Sequence, residues 1–356
     1  MTTYKKFIKV FFASLVLIPL LGLFNYIIDP YQQYRVDTFY KVPFYKERFQ
    51  NAGFSKNYDY KSLVLGTSMT ENFLLSNIEK ELNYKDSLKL CIAGGTAREQ
   101  SISLHTALAN NPNIEDVLWG IDTFAFLGTP EKLKFGKGSF PFYLYDDIVL
   151  NDYKYLLSIN TVKDSLKIII KSAIKKDDDI SYDYNKMFQS QHLDMDKFTE
   201  KNIKKEWTNR NRIFTKQELE TLRYTYLKRS FDENFLRVLK ENQNIKFKIF
   251  FPPYSILTHK LFEEKKVLRD ILMFKEYLYK SLSALENVEL YDFQISETIT
   301  HNLSNYKDLG HYHQNINLWI LKKIRNKKYL VKNKDFKINS FKLLEQVNNY
   351  VYSPNI

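Results

Sequence analysis

Ser62-Leu63-Val64-Leu65-Gly66-Thr67-Ser68, followed by Thr70-Glu71-Asn72-Phe73-Leu74-Leu75, is a short apolar run that ends in a glycine and gives way to a helical pattern. A serine at such a strand-to-helix turn has its hydroxyl exposed and backbone N–H groups beside it, which suits a nucleophile. Working outward, β-rich runs recur at 88–92, 117–121, 245–251 and 288–291, and amphipathic stretches at 70–83, 98–110 and 261–285 lie between them. Strands alternating with helices predict an α/β fold of three layers, α/β/α, with a parallel sheet covered on both faces.

The alternation breaks at 123–241, where Lys, Asp, Tyr and Ser are abundant and the helical periods lengthen. A structureless loop of that size is improbable, so the stretch reads as a helical insertion, a lid or a docking face. The remaining organisation is an anchor over 1–28, a juxtamembrane segment over 29–60 without a clear period, the main domain over 61–330, and a basic tail over 331–356 with a last helix at 341–351. No internal repeat interrupts this order.

From Phe7 to Ile28 the sequence is mostly apolar and carries a single charge, Lys9, near its start, and roughly 20 such residues span a bilayer. Asn25-Tyr26-Ile27-Ile28-Asp29-Pro30 follows where a signal peptide would carry small residues at a cleavage site, so the segment reads as an uncleaved, single-pass transmembrane anchor. Lys5, Lys6 and Lys9 precede it, which keeps the short N-terminus in the cytoplasm and places the domain outside the cytoplasmic membrane. Arg35 and Lys41 weaken that asymmetry without reversing it.

With 53 basic and 41 acidic side chains, the chain carries a formal charge of +12. That suits an anionic surface or glycan, but the lysines are scattered among acids, as in Glu263-Glu264-Lys265-Lys266 and Lys175-Lys176-Asp177-Asp178-Asp179, which argues against a nucleic-acid partner. The single cysteine, Cys91, cannot form an internal disulfide and sits in an apolar run that reads as core.

In an open parallel sheet, ligands bind beyond the carboxyl ends of the strands. Ser68 lies just past the first strand, and Asp308 and His311 lie past the last, before a helix beginning near Asn315. Taken alone, an acid three places before a histidine is no more than chance supplies. Position gives it weight: His311 can serve as the base for Ser68, with Asp308 fixing its tautomer. His313 is the rival base, since Asp308 could also reach it. His105, His192, His259 and His301 lack partners at metal-ligand spacings and read as structural or surface residues, so no metal site is expected. A second Gly-x-Ser, Gly53-Phe54-Ser55, has no apolar strand before it.

Leu65-Gly66-Thr67-Ser68 after the first strand, Gly94-Gly95-Thr96 after the second and Tyr306-Lys307-Asp308-Leu309-Gly310-His311-Tyr312 near the end resemble the sequence blocks of the SGNH (GDSL-like) hydrolase superfamily. Their flavour resembles that of its membrane-anchored members, such as those of teichoic acid D-alanylation and alginate O-acetylation. The resemblance covers roughly 61–324 and implies a flavodoxin-like fold, with Ser68 as nucleophile, His311 as base and Asp308 as its orienting acid. The backbone N–H groups of Ser68 and of Gly94 or Gly95 would then form the oxyanion hole. Where the family's third block supplies an Asn, Trp119-Gly120-Ile121-Asp122 offers an acid. Asp122 is therefore expected to hold its loop or to bind substrate. Phe251-Pro252-Pro253-Tyr254-Ser255 resembles a rim loop, which makes Tyr254 a candidate substrate contact, although a rigid turn ending a strand reads equally well. Arg98 could bind an anionic substrate, or with Glu99 simply cap the next helix.

The function expected from these readings is a serine-dependent O-acyltransferase that works outside the membrane on a cell-surface glycan, through an acyl-enzyme and without a cofactor. An activated acyl donor is scarce there, so the resemblance implies a multi-pass membrane O-acyltransferase as partner. Two alternatives use the same fold: a glycan O-acetyl esterase, and a catalytically inactive scaffold for a membrane acyltransferase.

Overall fold

In the computed structural model of the chain, the described residues are 2–36, 41–174, 180–188, 195–332 and 335–352. His192 and the charge run 175–179 lie outside them. Strands β1 (Ser62–Leu65), β2 (Ser87–Lys89), β3 (Asp116–Gly120), β4 (Lys246–Phe251) and β5 (Val288–Asp292) form one parallel sheet in the order β2-β1-β3-β4-β5. Leu63 pairs with Leu88 on one side and with Val117 on the other. β1 and β2 are buried along their whole length, as a parallel sheet covered on both faces requires. β2 stops short of the expected 88–92, yet the amides of Leu90 and Ile92 still donate to Val64 O and Gly66 O at 2.9 and 3.0 Å, and Cys91 is fully buried between them.

Helix α1 (Thr2–Ile28) contains a stretch, Tyr4–Ile28, that is long and apolar enough to cross a membrane. The segment after it, expected to lack a period, carries a helix, α2 (Glu47–Asn57). Its buried positions include Gln50, Asn51 and Ser55, polar residues that no hydrophobic count registers. Most of their polar atoms bond to backbone: Gln50 Oε1 accepts the amides of Tyr45 and Lys46, Asn51 Nδ2 donates to Leu90 O, and Ser55 Oγ donates to Asn51 O. Gly53 lets the chain at Tyr31 and Gln32 cross directly over α2, since a Cβ there would lie 2.3 Å from Gln32 O.

After β1 the expected single helix is two, α3 (Ser68–Glu71) and α4 (Leu75–Leu82). α5 (Ala97–Asn110) starts with a capping box, in which Thr96 Oγ1 accepts the Glu99 amide and Glu99 accepts the Thr96 amide. The insertion is helical but in short pieces: α6 (Phe142–Tyr145), α7 (Tyr153–Leu156), α8 (Ile159–Ala173), α9 (Glu200–Thr208) and α10 (Lys216–Thr221). Its last stretch, α11 (Tyr224–Phe231) and α12 (Arg237–Glu241) joined by a π turn, is the crossover into β4 rather than insertion. Phe231 and Phe235 are fully buried, and Phe235 stacks on Trp119 of β3. The expected helix at 261–285 is also two, α13 (Ile256–Glu264) and α14 (Leu268–Ser283), because Lys266 takes a left-handed conformation and closes the first. α15 (Glu297–Thr300), α16 (Gln314–Arg325) and α17 (Phe336–Asn349) complete the chain.

Right-handed crossovers decide which face each helix covers. The step from β1 to β2 runs opposite to every later step, so α4 lies on one face, where it packs against α16. Helices α5, α11 and α14 meet on the other face, with α2 and α17 packed outside them. The order reverses between β1 and β3, so the crevice of the sheet opens where Ser68 and Asp122 leave it.

Candidate active site

Gly66 makes the turn at the end of β1. Its φ of +140° suits glycine alone, and a Cβ there would lie 1.9 Å from Thr70 Oγ1. Thr67 then caps α3 by accepting the Met69 amide at 3.3 Å, which leaves Ser68 as the first residue of the helix.

Opposite it, residues 306–312 form a closed turn. Tyr306 and Tyr312 bridge antiparallel, and Lys307 N donates to His311 O at 3.0 Å. Inside the turn, Asp308 Oδ1 accepts the amides of Gly310 and His311 at 3.0 and 2.7 Å. The same carboxylate holds His311 Nδ1, 2.8 Å from Oδ2. His311 Nε2 lies 2.8 Å from Ser68 Oγ. With Nδ1–H donated to a carboxylate, Nε2 carries the lone pair and faces the serine hydroxyl. The structure thus brings Ser68, His311 and Asp308 into one line, whereas His313 turns away to cap α16 by accepting the Asn315 amide at 3.0 Å.

Electrostatics follow the contacts. Burial disfavours charge on His311, yet the hydrogen bond and the negative charge of Asp308 outweigh it, so the imidazole pKa is raised. Burial likewise opposes ionisation of Asp308, but His311 and the two backbone donors prevail and its pKa is lowered.

The loop after β2 supplies one amide rather than two. Gly95 N donates to Ile92 O at 2.8 Å and is spent. Among the described residues, the amides of Ser68 and Gly94 donate to no acceptor, so these two are the available pair. Arg48 steadies that loop by donating to Ala93 O at 3.1 Å and pairing with Glu99 at 2.9 Å. Glu99 therefore caps and braces, while Arg98 is exposed on α5 and borders neither cavity at the site.

Asp122 holds its loop. Its carboxylate accepts from Thr67 Oγ1 at 3.0 Å, from Phe124 N at 3.0 Å and from Tyr254 OH. Tyr254 OH also accepts the Thr123 amide at 3.1 Å and is almost wholly buried, so both polar groups are consumed within the fold and only their surfaces border the cleft. Of the two readings of the Pro252-Pro253 turn, the rigid one describes this geometry.

Several site residues have no signal in the sequence. Glu206, on α9 of the insertion, accepts the Leu309 amide at 2.6 Å, while Leu309 O accepts from Ser255 and Thr258 hydroxyls at 2.6 Å each. The turn that carries His311 is thus gripped from two sides. Burial and the neighbouring Asp308 charge raise the Glu206 pKa. Ile213 and Phe214, also from the insertion, wall the cleft, and Phe214 stacks on Phe124. The cleft over Ser68 and His311 measures about 240 Å³. Beyond Asp122 and Phe124 it meets a second cavity of about 220 Å³ that contains Gly94, Gly95 and Lys134, and then a groove of about 850 Å³ along 128–137 and 215–221.

No family model matches the chain, and no curated protein shows a significant match.

Proposed function

We propose that this chain is a membrane-anchored serine O-acyltransferase that modifies a cell-surface glycan, in the manner its resemblance to SGNH hydrolases implies. The observation that carries the reading is the Ser68–His311–Asp308 line beside two open amides. Ser68 Oγ attacks the acyl carbonyl carbon of a donor as its proton passes to His311 Nε2. The amides of Ser68 and Gly94 receive the developing oxyanion, and His311 protonates the departing group. A glycan hydroxyl then attacks the seryl ester, its proton goes to His311, and Ser68 is released as the alcohol.

Transfer rather than hydrolysis is favoured by the apolar wall of Phe124, Ile213 and Phe214, which limits water at the ester. The long groove beyond Lys134 offers room for a chain-like acceptor. Orientation by Lys5, Lys6 and Lys9 puts the domain outside the cytoplasmic membrane, where a multi-pass acyltransferase would deliver the acyl group.

The test has two arms. A fluorophosphonate probe is expected to label the full-length protein and to fail with Ser68→Ala; absence of labelling on the folded wild type overturns the catalytic reading. Glycan O-acyl content is expected to fall when Ser68→Ala replaces the wild type in cells, whereas a rise identifies an esterase.

A further inference from the structure

Helix α8 is built inside out. At 100° per residue, Thr161, Asp164, Ser165 and Ile168 share one side, and that side is buried. Tyr31 OH donates to Asp164 Oδ2 at 2.6 Å there, and Ser165 Oγ donates to Asn25 Oδ1 at 2.9 Å. The opposite side presents Ile159, Leu166, Ile169 and Ile170 to the outside, and Ile174 continues the stripe. Just before the helix, Ile148-Val149-Leu150 forms a projecting apolar tip, with Leu150 89% exposed. A soluble surface rarely carries so continuous an apolar patch.

The position of α8 names its occupant. Asn25 Nδ2 of α1 donates to Leu156 O at 2.7 Å, and a Cβ on Gly22 would touch Leu157 at 3.4 Å. Helices α7 and α8 therefore abut α1 at residues 22–25, the last turns of the apolar stretch Tyr4–Ile28. A helix that crosses a hydrocarbon layer uses roughly 20 residues, so this contact lies level with the edge of that layer. Along one flank of the apolar stripe, Lys163, Lys167 and Lys171 recur every four residues and are exposed. Lysines beside an outward apolar stripe are the arrangement of a helix lying in a bilayer interface, with stems among the lipids and ammonium groups at the phosphates.

We propose that α8 and the 148–150 tip lie in the lipid leaflet from which α1 emerges, so that the domain is seated on the bilayer by a second, in-plane element. This rests on α1 crossing the membrane, and the experiment separates the two.

Full-length protein is reconstituted into phosphatidylcholine–phosphatidylglycerol vesicles, with Val149→Cys, Leu166→Cys or Ile170→Cys each labelled with an environment-sensitive fluorophore. Cys91 is fully buried and does not compete. Leu17→Cys reports the anchor, and Lys240→Cys reports exposed surface. The three test labels are expected to be blue-shifted, quenched by lipid-attached nitroxides and shielded several-fold from aqueous iodide relative to Lys240→Cys. Test labels that behave like Lys240→Cys while Leu17→Cys stays embedded overturn the proposal with the anchor intact; a water-exposed Leu17→Cys overturns both. Shielding only in native membranes, or only at high protein density, assigns the face to a protein partner or a second copy and also overturns it.

Discussion

Ser68 Oγ and His311 Nε2 lie 2.8 Å apart across 243 residues of chain. The contact joins the first strand's turn to the loop after the last, and the proposed chemistry depends on it. Ser68→Ala and His311→Ala are each expected to reduce turnover by about 10³ to 10⁶ fold while leaving the fold intact by circular dichroism. Near-normal activity in either variant would remove the serine mechanism.

The pH profile should carry the signature of Asp308. His311 works as a base only when neutral, and its pKa is raised above the ordinary imidazole value of about 6.5. The rate of Ser68 labelling by a fluorophosphonate is therefore expected to climb with pH and to level off only above that raised value. The sign for stability is opposite: the charged imidazole is favoured in the fold, so its contribution is full below the unfolded value and fades as pH rises through the folded one. Asp308→Asn takes away the partner carboxylate, and the labelling midpoint should move down.

Glu206 is expected to act through the turn it grips. Glu206→Ala leaves the Leu309 amide without its 2.6 Å acceptor, and a hydrogen bond to a charged group contributes about 1.5 to 3 kcal/mol. A fall in labelling rate of roughly tenfold or more is expected, since 1.4 kcal/mol corresponds to a factor of ten. Glu206→Gln keeps an acceptor and should recover most of the rate, but with a lower pH midpoint because a negative charge near His311 is gone. Equal loss in both variants would show that the hydrogen bond is not what matters.

Gly66→Ala should destabilise the protein by at least about 2 kcal/mol in urea unfolding, from backbone strain and the overlap with Thr70 Oγ1. Adding Thr70→Ala is expected to relieve the overlap but not the strain, so the double variant recovers only part of the loss.

Lys275 and Asp292 form a fully buried ion pair at 3.1 Å, completed by Gln294 Oε1 at 2.7 Å and by Tyr279 OH. Asp292→Ala leaves the ammonium without its counter-charge and should cost about 3 to 5 kcal/mol by thermal or urea denaturation. A loss below 1 kcal/mol would indicate that Lys275 sheds its proton, a direction in which burial already drives its pKa.

Features carried by a few adjacent residues were readable in the sequence. The strand-turn-helix at Ser68 is such a local pattern, whereas the Asp308–His311 spacing gained weight only from its place beyond the last strand. Helix α2 was not readable, because Gln50, Asn51 and Ser55 fill its buried face and polar side chains bonded to backbone leave no hydrophobic period. The orientation of helix α8 was not legible either, since its polar residues Asp164 and Ser165 face inward. Glu206 was invisible, since it meets Leu309 across 103 residues only after the insertion folds back. Gly95 looked equivalent to Gly94 until a 2.8 Å bond to Ile92 removed its amide from use.

Asp29 fixes the junction between α1 and the domain. Its carboxylate gathers the amides of Gln33, Tyr34 and Arg35 and the hydroxyl of Tyr155, directly at the end of α1. A loosely tethered enzyme sweeps a range of heights above its membrane. With α1 across a bilayer, a domain bolted at this joint would hold Ser68 at a single height, so that distance from the lipid would join chemistry in deciding what reaches the proposed site.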